Sequence, residues 1–168
     1  MKSLASSAIV LSALIAGVTS KAMVGTSIGG WQVLEAWIVP SLFYRFLGKK
    51  KDDGVGMDCW SVCESLGPTE GNKLMRAHWD SWFNETHMKG LKDRGIEIIR
   101  VPVGDWSIKE DQYGPYVGCM DGSQEKIDWI FDMADKYEIK ILLDVHALKG
   151  SQNPFDNSGR CMDLQWTD

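Results

Sequence analysis

The middle of the chain alternates between two kinds of hydrophobic pattern. Segments 97–103 and 140–146 are nearly continuous apolar runs, typical of strands covered on both faces of a sheet. Segments 72–93 and 124–137 instead repeat apolar residues at helical spacing, so each is predicted to be a helix. Segment 23–38 is a short strand-like segment that contains a Gly-Gly break. The order strand, helix, strand, helix, strand predicts right-handed βαβ units in a parallel sheet.

The remaining segments narrow the fold class. Residues 40–67 and 107–122 are rich in turn-forming or charged residues and are predicted to be irregular. The glycine-rich fingerprint of a dinucleotide site and the Walker phosphate loop are absent from the sequence. We therefore expect an α/β fold of the TIM-barrel type rather than a doubly wound sheet, and no cofactor. Functional residues of such barrels gather at the carboxyl ends of strands.

Polar side chains interrupt the apolar runs at informative positions. Asp144 and His146 are two residues apart, so they share one face of their strand, and a loop rich in Ser, Asn, Asp and Gly follows. Arg100 lies within the preceding run and needs a carboxylate partner if buried. That pairing either joins two strands or orients an active-site carboxylate. A metal site at Asp144 and His146 is a weaker alternative, because the other histidines, His78 and His87, lie on a predicted helix.

The start of the chain and its cysteines suggest secretion. Residues 1–20 combine Lys2, a short apolar stretch and small residues, as a signal peptide does. The four cysteines are even in number and are expected to form disulfides, with three pairings open, among Cys59, Cys63, Cys119 and Cys161. Asn84-Glu85-Thr86 is an N-glycosylation sequon, but it falls inside predicted helix 72–93, which argues against its use.

Charge and aromatic content mainly indicate which class of ligand the chain could bind. The net charge is −5, which argues against nucleic acid as a ligand, and the apolar stretch near the start is too short for a comfortable membrane span. Eight tryptophans is a high count. Those on helices, Trp79, Trp82 and Trp129, are expected in the core. Trp31, Trp37 and Trp106 are candidates to stack on sugar rings, because they lie in loops or at strand ends.

Four motifs in sequence order carry a resemblance to a known family. They are IGGWQVLEAWIVPSLF at 28–43, HWDSWFNE at 78–85, IRVPVGDW at 99–106 and DVHALKGSQNPFDNSG at 144–159. Together they resemble the secreted exo-β-1,3-glucanases of glycoside hydrolase family 5. The resemblance implies an eight-fold TIM barrel that hydrolyses β-1,3-glucan with retention, of which this chain is an N-terminal part.

The resemblance also implies roles for particular residues. Arg100 matches an arginine that hydrogen-bonds the nucleophilic carboxylate, and His146 matches a histidine that lines the same site. Glu35 and Asp156 match residues that bind hydroxyls of the terminal glucose, and Asn157 is placed beside them. The fragment is expected to comprise the signal peptide, 1–20, and a partial catalytic domain, 21–168, with three βα units of the barrel.

Two expectations follow from the length of the chain. Whole barrels need about 250 residues, and the acid/base and nucleophile Glu positions of the family lie beyond residue 168. The chain alone is therefore expected to be inactive, and Arg100 to lack its carboxylate. The alternative is a non-catalytic secreted remnant that binds glucan or another partner. In either case we expect a monomer that binds β-1,3-glucan outside the cell or in the cell wall, with no metal.

Overall fold

A computed structural model describes residues 22–44 and 57–166. The predicted signal peptide lies outside the described residues. Three strands and five helices are described, with short 3-10 turns at Asp105–Ser107, Lys109–Asp111 and Asp156–Ser158. In chain order the elements are β1 (Gly25–Ser27), α1 (Pro40–Phe43), α2 (Cys59–Trp82), α3 (Glu85–Asp93), β2 (Ile98–Gly104), α4 (Tyr116–Cys119), α5 (Ser123–Tyr137) and β3 (Lys140–Ala147).

The strands form one parallel sheet in the order β1-β2-β3. Its register sets Ser27, Arg100 and Leu142 side by side, with Asp144 opposite Pro102. Paired residues of parallel strands point to the same face, so Arg100, Asp144 and His146 share one side of the sheet. The expected α/β architecture with a parallel sheet is confirmed, and it is consistent with part of a barrel.

The opposite face of β2 packs into the hydrophobic core. Ile99 and Val101 are fully buried there, and Val103 nearly so. Alternate residues of β2 therefore serve the core and the polar face in turn. The outer face of β3 differs, because Leu143 and Val145 are exposed.

The helix predicted over 72–93 is two helices. The first, α2, ends at Trp82, and Asn84 caps the second, α3. Asn84 Oδ1 accepts from the backbone N–H groups of Thr86 and His87, and His87 Nδ1 accepts from the Asn84 N–H. Side-chain acceptors of this kind satisfy the unpaired N–H groups of a helix start, which is why a new helix begins here.

The prediction of irregular structure over 40–67 is wrong for its described ends. Residues 40–43 form α1, and α2 begins at Cys59, where Asp58 accepts from the Ser61 N–H at 2.8 Å. Gly67 has a φ of 69°, so the helix kinks there ahead of Pro68. Pro68 has no backbone N–H to continue the ladder of helical hydrogen bonds, so the kink falls at this Gly-Pro step.

A disulfide joins Cys63 on α2 to Cys119 on α4. Of the three pairings that the sequence left open, only the one that contains this pair agrees with the structure. Cys59 is a buried thiol whose sulfur accepts from the Leu34 N–H at 3.0 Å. The bond fixes the 107–122 segment, which contains α4 and the 3-10 turn Lys109–Asp111, against α2. Among the helices of the described residues, none combines the length and apolarity that a membrane span needs.

Candidate functional site

The polar face of the sheet carries a cluster of three side chains. Arg100 Nη2 lies 2.5 Å from Asp144 Oδ2 and 3.0 Å from His146 Nδ1, and His146 Nδ1 lies 2.9 Å from the same Asp144 oxygen. His146 Nδ1 donates to Asp144 when it carries the proton and accepts from Arg100 when it does not. Arg100 is thus paired with Asp144, a carboxylate on the neighbouring strand, while the expected absence of the family's nucleophilic carboxylate stays a prediction.

A cavity of about 660 Å³ opens beside this cluster. Four of the five residues predicted for the site line it: Glu35, Arg100, His146 and Asn157. They come from the segment after β1, from β2, from β3 and from the turn after β3. Parallel strands bring these segments together because their carboxyl ends meet at one edge of the sheet.

Glu35 is the carboxylate among the residues that line the cavity, and 7% of its surface is exposed. Burial raises its pKa, and the nearby Asp156 carboxylate acts in the same direction, while His146 and Arg100 oppose the shift. The segment around Glu35 is a tight turn: its carbonyl accepts from the N–H groups of Ile38 at 2.8 Å and Val39 at 2.9 Å.

His78 of α2 supports the same turn from behind. Its Nε2 lies 2.7 Å from the Gly30 carbonyl oxygen, and burial lowers its pKa. The neutral ring therefore donates from Nε2 to this carbonyl. Because a backbone hydrogen bond from Gly30 also reaches Glu35, His78 helps to hold the turn that positions Glu35 in the cavity.

Asp156 is the predicted site residue that does not line the cavity. Its Oδ2 accepts from the Ala36 N–H at 3.2 Å, and its Oδ1 accepts from the Asn157 N–H at 3.0 Å. It thus ties the turn after β3 to the segment that carries Glu35. The neighbouring Asn157 lines the cavity, while its Oδ1 atom is itself buried and has no hydrogen-bond partner among the described residues.

The aromatic lining only partly follows the prediction. Trp37 is 73% exposed and lines the cavity, whereas Trp31 and Trp106 are buried and are core residues instead. Trp82, expected in the core, is partly exposed and lines the cavity with Phe83. Helical periodicity missed Trp82 because it ends α2, where its indole N–H donates to the Gly29 carbonyl at 3.0 Å.

The Asp144 and His146 pair does not form a metal centre in this arrangement. Both side chains are turned onto the Arg100 guanidinium, a cation that already satisfies the carboxylate. Within residues 22–44 and 57–166, no three His, Cys, Asp or Glu side chains converge as metal ligands would. The structure thus gives the metal alternative no support.

A second cavity, of about 570 Å³, lies on the other side of the turn after β3. Its lining includes the rings of Trp60, Tyr113 and Trp166 and the cationic side chains of Lys149 and Arg160. The Arg160 guanidinium stacks on Trp60 at 3.8 Å, and Lys149 Nζ lies 5.3 Å from the Tyr113 ring centre. Because these rings already bind cations, the cavity differs in chemistry from the one at Glu35.

Comparison with known proteins confirms the resemblance to glucan 1,3-beta-glucosidases. The chain is 38% identical over 136 residues to glucan 1,3-beta-glucosidase 2 of Candida albicans, 37% over 142 residues to glucan 1,3-beta-glucosidase of Pichia angusta, and 34% over 148 residues to glucan 1,3-beta-glucosidase 1 of Schizosaccharomyces pombe. These matches cover 80 to 88% of this chain. The chain spans 28 to 35% of the length of these relatives.

Solved structures give the same picture at the level of fold. The crystal structure of rutinosidase from Aspergillus niger matches with a TM-score of 0.72 at 20% identity. The match covers 86% of this chain and 38% of the rutinosidase chain. No protein-family model matches the chain. Over most of its length, this chain is therefore similar to about a third of a glucan 1,3-beta-glucosidase, and it resembles glycosyl hydrolases of that kind.

Proposed function

We propose that this chain is part of a secreted glycoside hydrolase that acts on β-1,3-glucan, releasing glucose from chain ends with retention. The observation that carries the proposal is the single cavity that Glu35, Arg100, His146 and Asn157 line, with the exposed Trp37 indole beside them. Buried hydrogen-bonding groups next to an aromatic face suit a pyranose ring, which has hydroxyls at its rim and apolar faces.

In this proposal, residues 21–168 are a partial catalytic domain. The three strands and their helices are the N-terminal βα units of an eight-fold barrel, and residues 1–20 direct the chain out of the cell. The parallel order β1-β2-β3 and the polar inner face support this assignment. The exposed apolar side chains of β3 support it as well, since further barrel elements would cover them.

The proposed roles follow from the contacts. Asp144 fixes the Arg100 guanidinium through Nη2, while Nη1 makes one 3.3 Å contact with Ser27 Oγ. A guanidinium has five N–H donors, so Arg100 retains donors for a second carboxylate, the nucleophile of the barrel. Glu35 and Asn157, which both line the cavity, would bind sugar hydroxyls. Asp156 would position both of these residues rather than contact sugar itself.

The chain 1–168 alone is proposed to lack turnover. Retaining hydrolysis uses two carboxyl groups about 5 Å apart, one as acid/base and one as nucleophile. Among the described residues, Glu35 is the carboxylate that lines the cavity, so the described part of the chain does not supply the required pair. Glucan binding without hydrolysis would match the alternative, a non-catalytic binding module. Glucose release from laminarin by the isolated chain would contradict the proposed lack of turnover.

A chimera tests the hydrolase proposal. The segment of the Candida albicans relative that matches this chain is replaced by the 136-residue counterpart, so that the relative supplies the remaining barrel. We expect the chimera to release glucose from laminarin, and Arg100→Ala to reduce kcat by about a hundredfold or more, as loss of an electrostatic active-site contact does.

Arg94→Ala is the matched control in that chimera. Arg94 is an exposed arginine whose Nη1 donates to the Gly90 carbonyl, away from the sheet. Its removal should leave kcat unchanged. A folded chimera that hydrolyses no laminarin, or one in which both arginine variants behave alike, would refute the proposed roles.

A further inference from the structure

We propose that Asn84 is an N-glycosylation site of this protein, with its Nδ2 atom as the acceptor of an oligosaccharide from a lipid-linked diphosphate donor. Asn84-Glu85-Thr86 has the required acceptor pattern. The other asparagines of the sequence, Asn72, Asn153 and Asn157, have no Ser or Thr two residues further on. Asn84 is therefore the one acceptor asparagine in the sequence, so a single modification is expected.

The structure removes the objection that the sequon lies inside a helix. Asn84 occupies the break between α2 and α3, in extended backbone with a φ of −141°, and Thr86 is exposed in the first turn of α3. A sequon at an element boundary is open to a modifying enzyme in a way that a helix interior is not.

The Asn84 amide uses only one of its two ends inside the protein. Its Oδ1 accepts from the Thr86 N–H at 3.1 Å and from the His87 N–H at 3.4 Å. Its Nδ2 has no hydrogen-bond partner among the described residues and is not among their buried unpartnered atoms, so it faces solvent. The nitrogen that would carry a sugar is thus the end of the amide that the fold leaves open.

The modification preserves the helix cap. In the transfer, a bond forms between Nδ2 and the sugar C1, the bond from C1 to the diphosphate oxygen breaks, Nδ2 loses one proton, and the lipid diphosphate leaves. The product is still an amide, and its carbonyl oxygen can still accept from Thr86 and His87. Glycosylation at this position therefore costs no capping hydrogen bond.

The surroundings of Asn84 can accommodate a first sugar. A shallow cavity of about 240 Å³ adjoins Asn84, lined by the Trp129 and Phe83 rings and by the charged side chains of Asp80 and Lys126. Aromatic edges with polar partners suit an amino sugar in the same way that they suit glucose. This cavity shares only Phe83 with the one at Glu35, so a glycan here leaves the proposed substrate site open.

The proposal rests on the proposed secretion, and translation of the full chain with endoplasmic-reticulum microsomes tests the two separately. Protection from added protease reports entry into the microsomes. We expect protected wild-type chain to show one upward step in mass that endoglycosidase H removes. Peptide N-glycosidase should convert Asn84 to Asp in the corresponding peptide, as read by mass spectrometry.

Variants separate glycosylation from folding. Asn84→Asp keeps a good helix cap but removes the acceptor nitrogen, and Thr86→Ala keeps Asn84 but removes the required hydroxyl. Both should abolish the mass step, whereas Thr86→Ser should retain it. A protected chain without the step would overturn glycosylation while leaving secretion intact. A chain that stays sensitive to protease and unmodified would overturn both.

Discussion

Strands β2 and β3 have similar apolar sequences but opposite surroundings. On the outer face of β2, Ile99 and Val101 are fully buried beneath the helices. On the outer face of β3, Leu143 is 42% and Val145 56% exposed. On the inner face the two strands act together, because Arg100 of β2 binds Asp144 and His146 of β3.

The two strands therefore contribute differently to the stability of the fold and to the polar cluster at the cavity. The hydrophobic stabilisation comes mainly from β2 and its helices, where apolar surface is removed from water. The site depends on both strands, including the one that contributes little burial. If the proposed barrel is correct, the outer face of β3 is apolar because it is meant to pack against elements beyond those described.

The largest expected effect comes from a matched pair of core deletions. Ile99→Ala removes a fully buried side chain and should lower the free energy of unfolding by about 3 kcal/mol. Leu143→Ala, on the exposed face of β3, should cost less than about 1 kcal/mol. Urea denaturation of both variants checks the difference, and equal losses would contradict the contrast between the strands.

A second pair tests the contact that joins the inner faces. Asp144→Ala leaves the Arg100 guanidinium without its carboxylate and should cost about 2 kcal/mol, because the pair is partly shielded from water. Asp93→Ala breaks the Lys89–Asp93 pair, which has a similar 2.6 Å distance but lies at the surface, and should cost less than about 0.5 kcal/mol. If Asp93→Ala were as costly, burial at the sheet would not explain the effect.

A third pair concerns sugar contact at the cavity mouth. Trp37→Leu should weaken binding of laminaritriose by about 1 kcal/mol, roughly fivefold, because an exposed indole beside Glu35 is lost. Trp166→Leu removes a comparably exposed indole from the second cavity and should leave the affinity unchanged. Calorimetric titration measures the laminaritriose affinity of both variants. A loss of affinity in Trp166→Leu alone would place the sugar in the second cavity and contradict a glucan site at Glu35.

The smallest effect is a dependence of stability on pH. Burial raises the Glu35 pKa above its ordinary 4.5, so the folded state binds this proton more tightly than the unfolded state does. The carboxyl therefore favours folding at low pH, and that contribution is lost as pH rises through the folded-state pKa. Relative to wild type, Glu35→Gln should gain in melting temperature between pH 4 and pH 7.

The exposed Glu110→Gln is the control for that measurement. Its difference in melting temperature from wild type should be constant over the same range of pH. A constant difference for Glu35→Gln as well would mean that the Glu35 carboxyl is not kept from water in solution.

Strong periodic patterns made the central elements predictable. The strands expected at 97–103 and 140–146 are Ile98–Gly104 and Lys140–Ala147, and the helix expected at 124–137 is Ser123–Tyr137. A long apolar run or a clear helical face leaves few alternatives. The break at Asn84 was missed because a helix cap depends on backbone geometry that apolar spacing does not reveal.

The site was predictable where it depended on strand geometry and not where it depended on loop packing. The shared face of Asp144 and His146 follows from their spacing, and Arg100 does bind both. The burial of Trp106 follows instead from its stacking on Tyr116, with ring centres 4.1 Å apart. The sequence does not reveal this contact, because it does not show how the two loop segments pack against each other. Likewise, Asp156 turned toward Ala36, which spacing alone does not indicate.

Nuclear magnetic resonance of the folded chain tests whether the Glu35 cavity binds glucan, because it locates a bound sugar. Titration with laminaritriose should shift the amide signals around Gly29, Trp37, Arg100 and His146 and leave those around Trp60 and Tyr113 unchanged. We expect the shifts at the first group to saturate, and Glu35→Gln to weaken the binding that they report. Shifts confined to the second cavity, or none at all, would contradict the assignment of the Glu35 cavity as a glucan site.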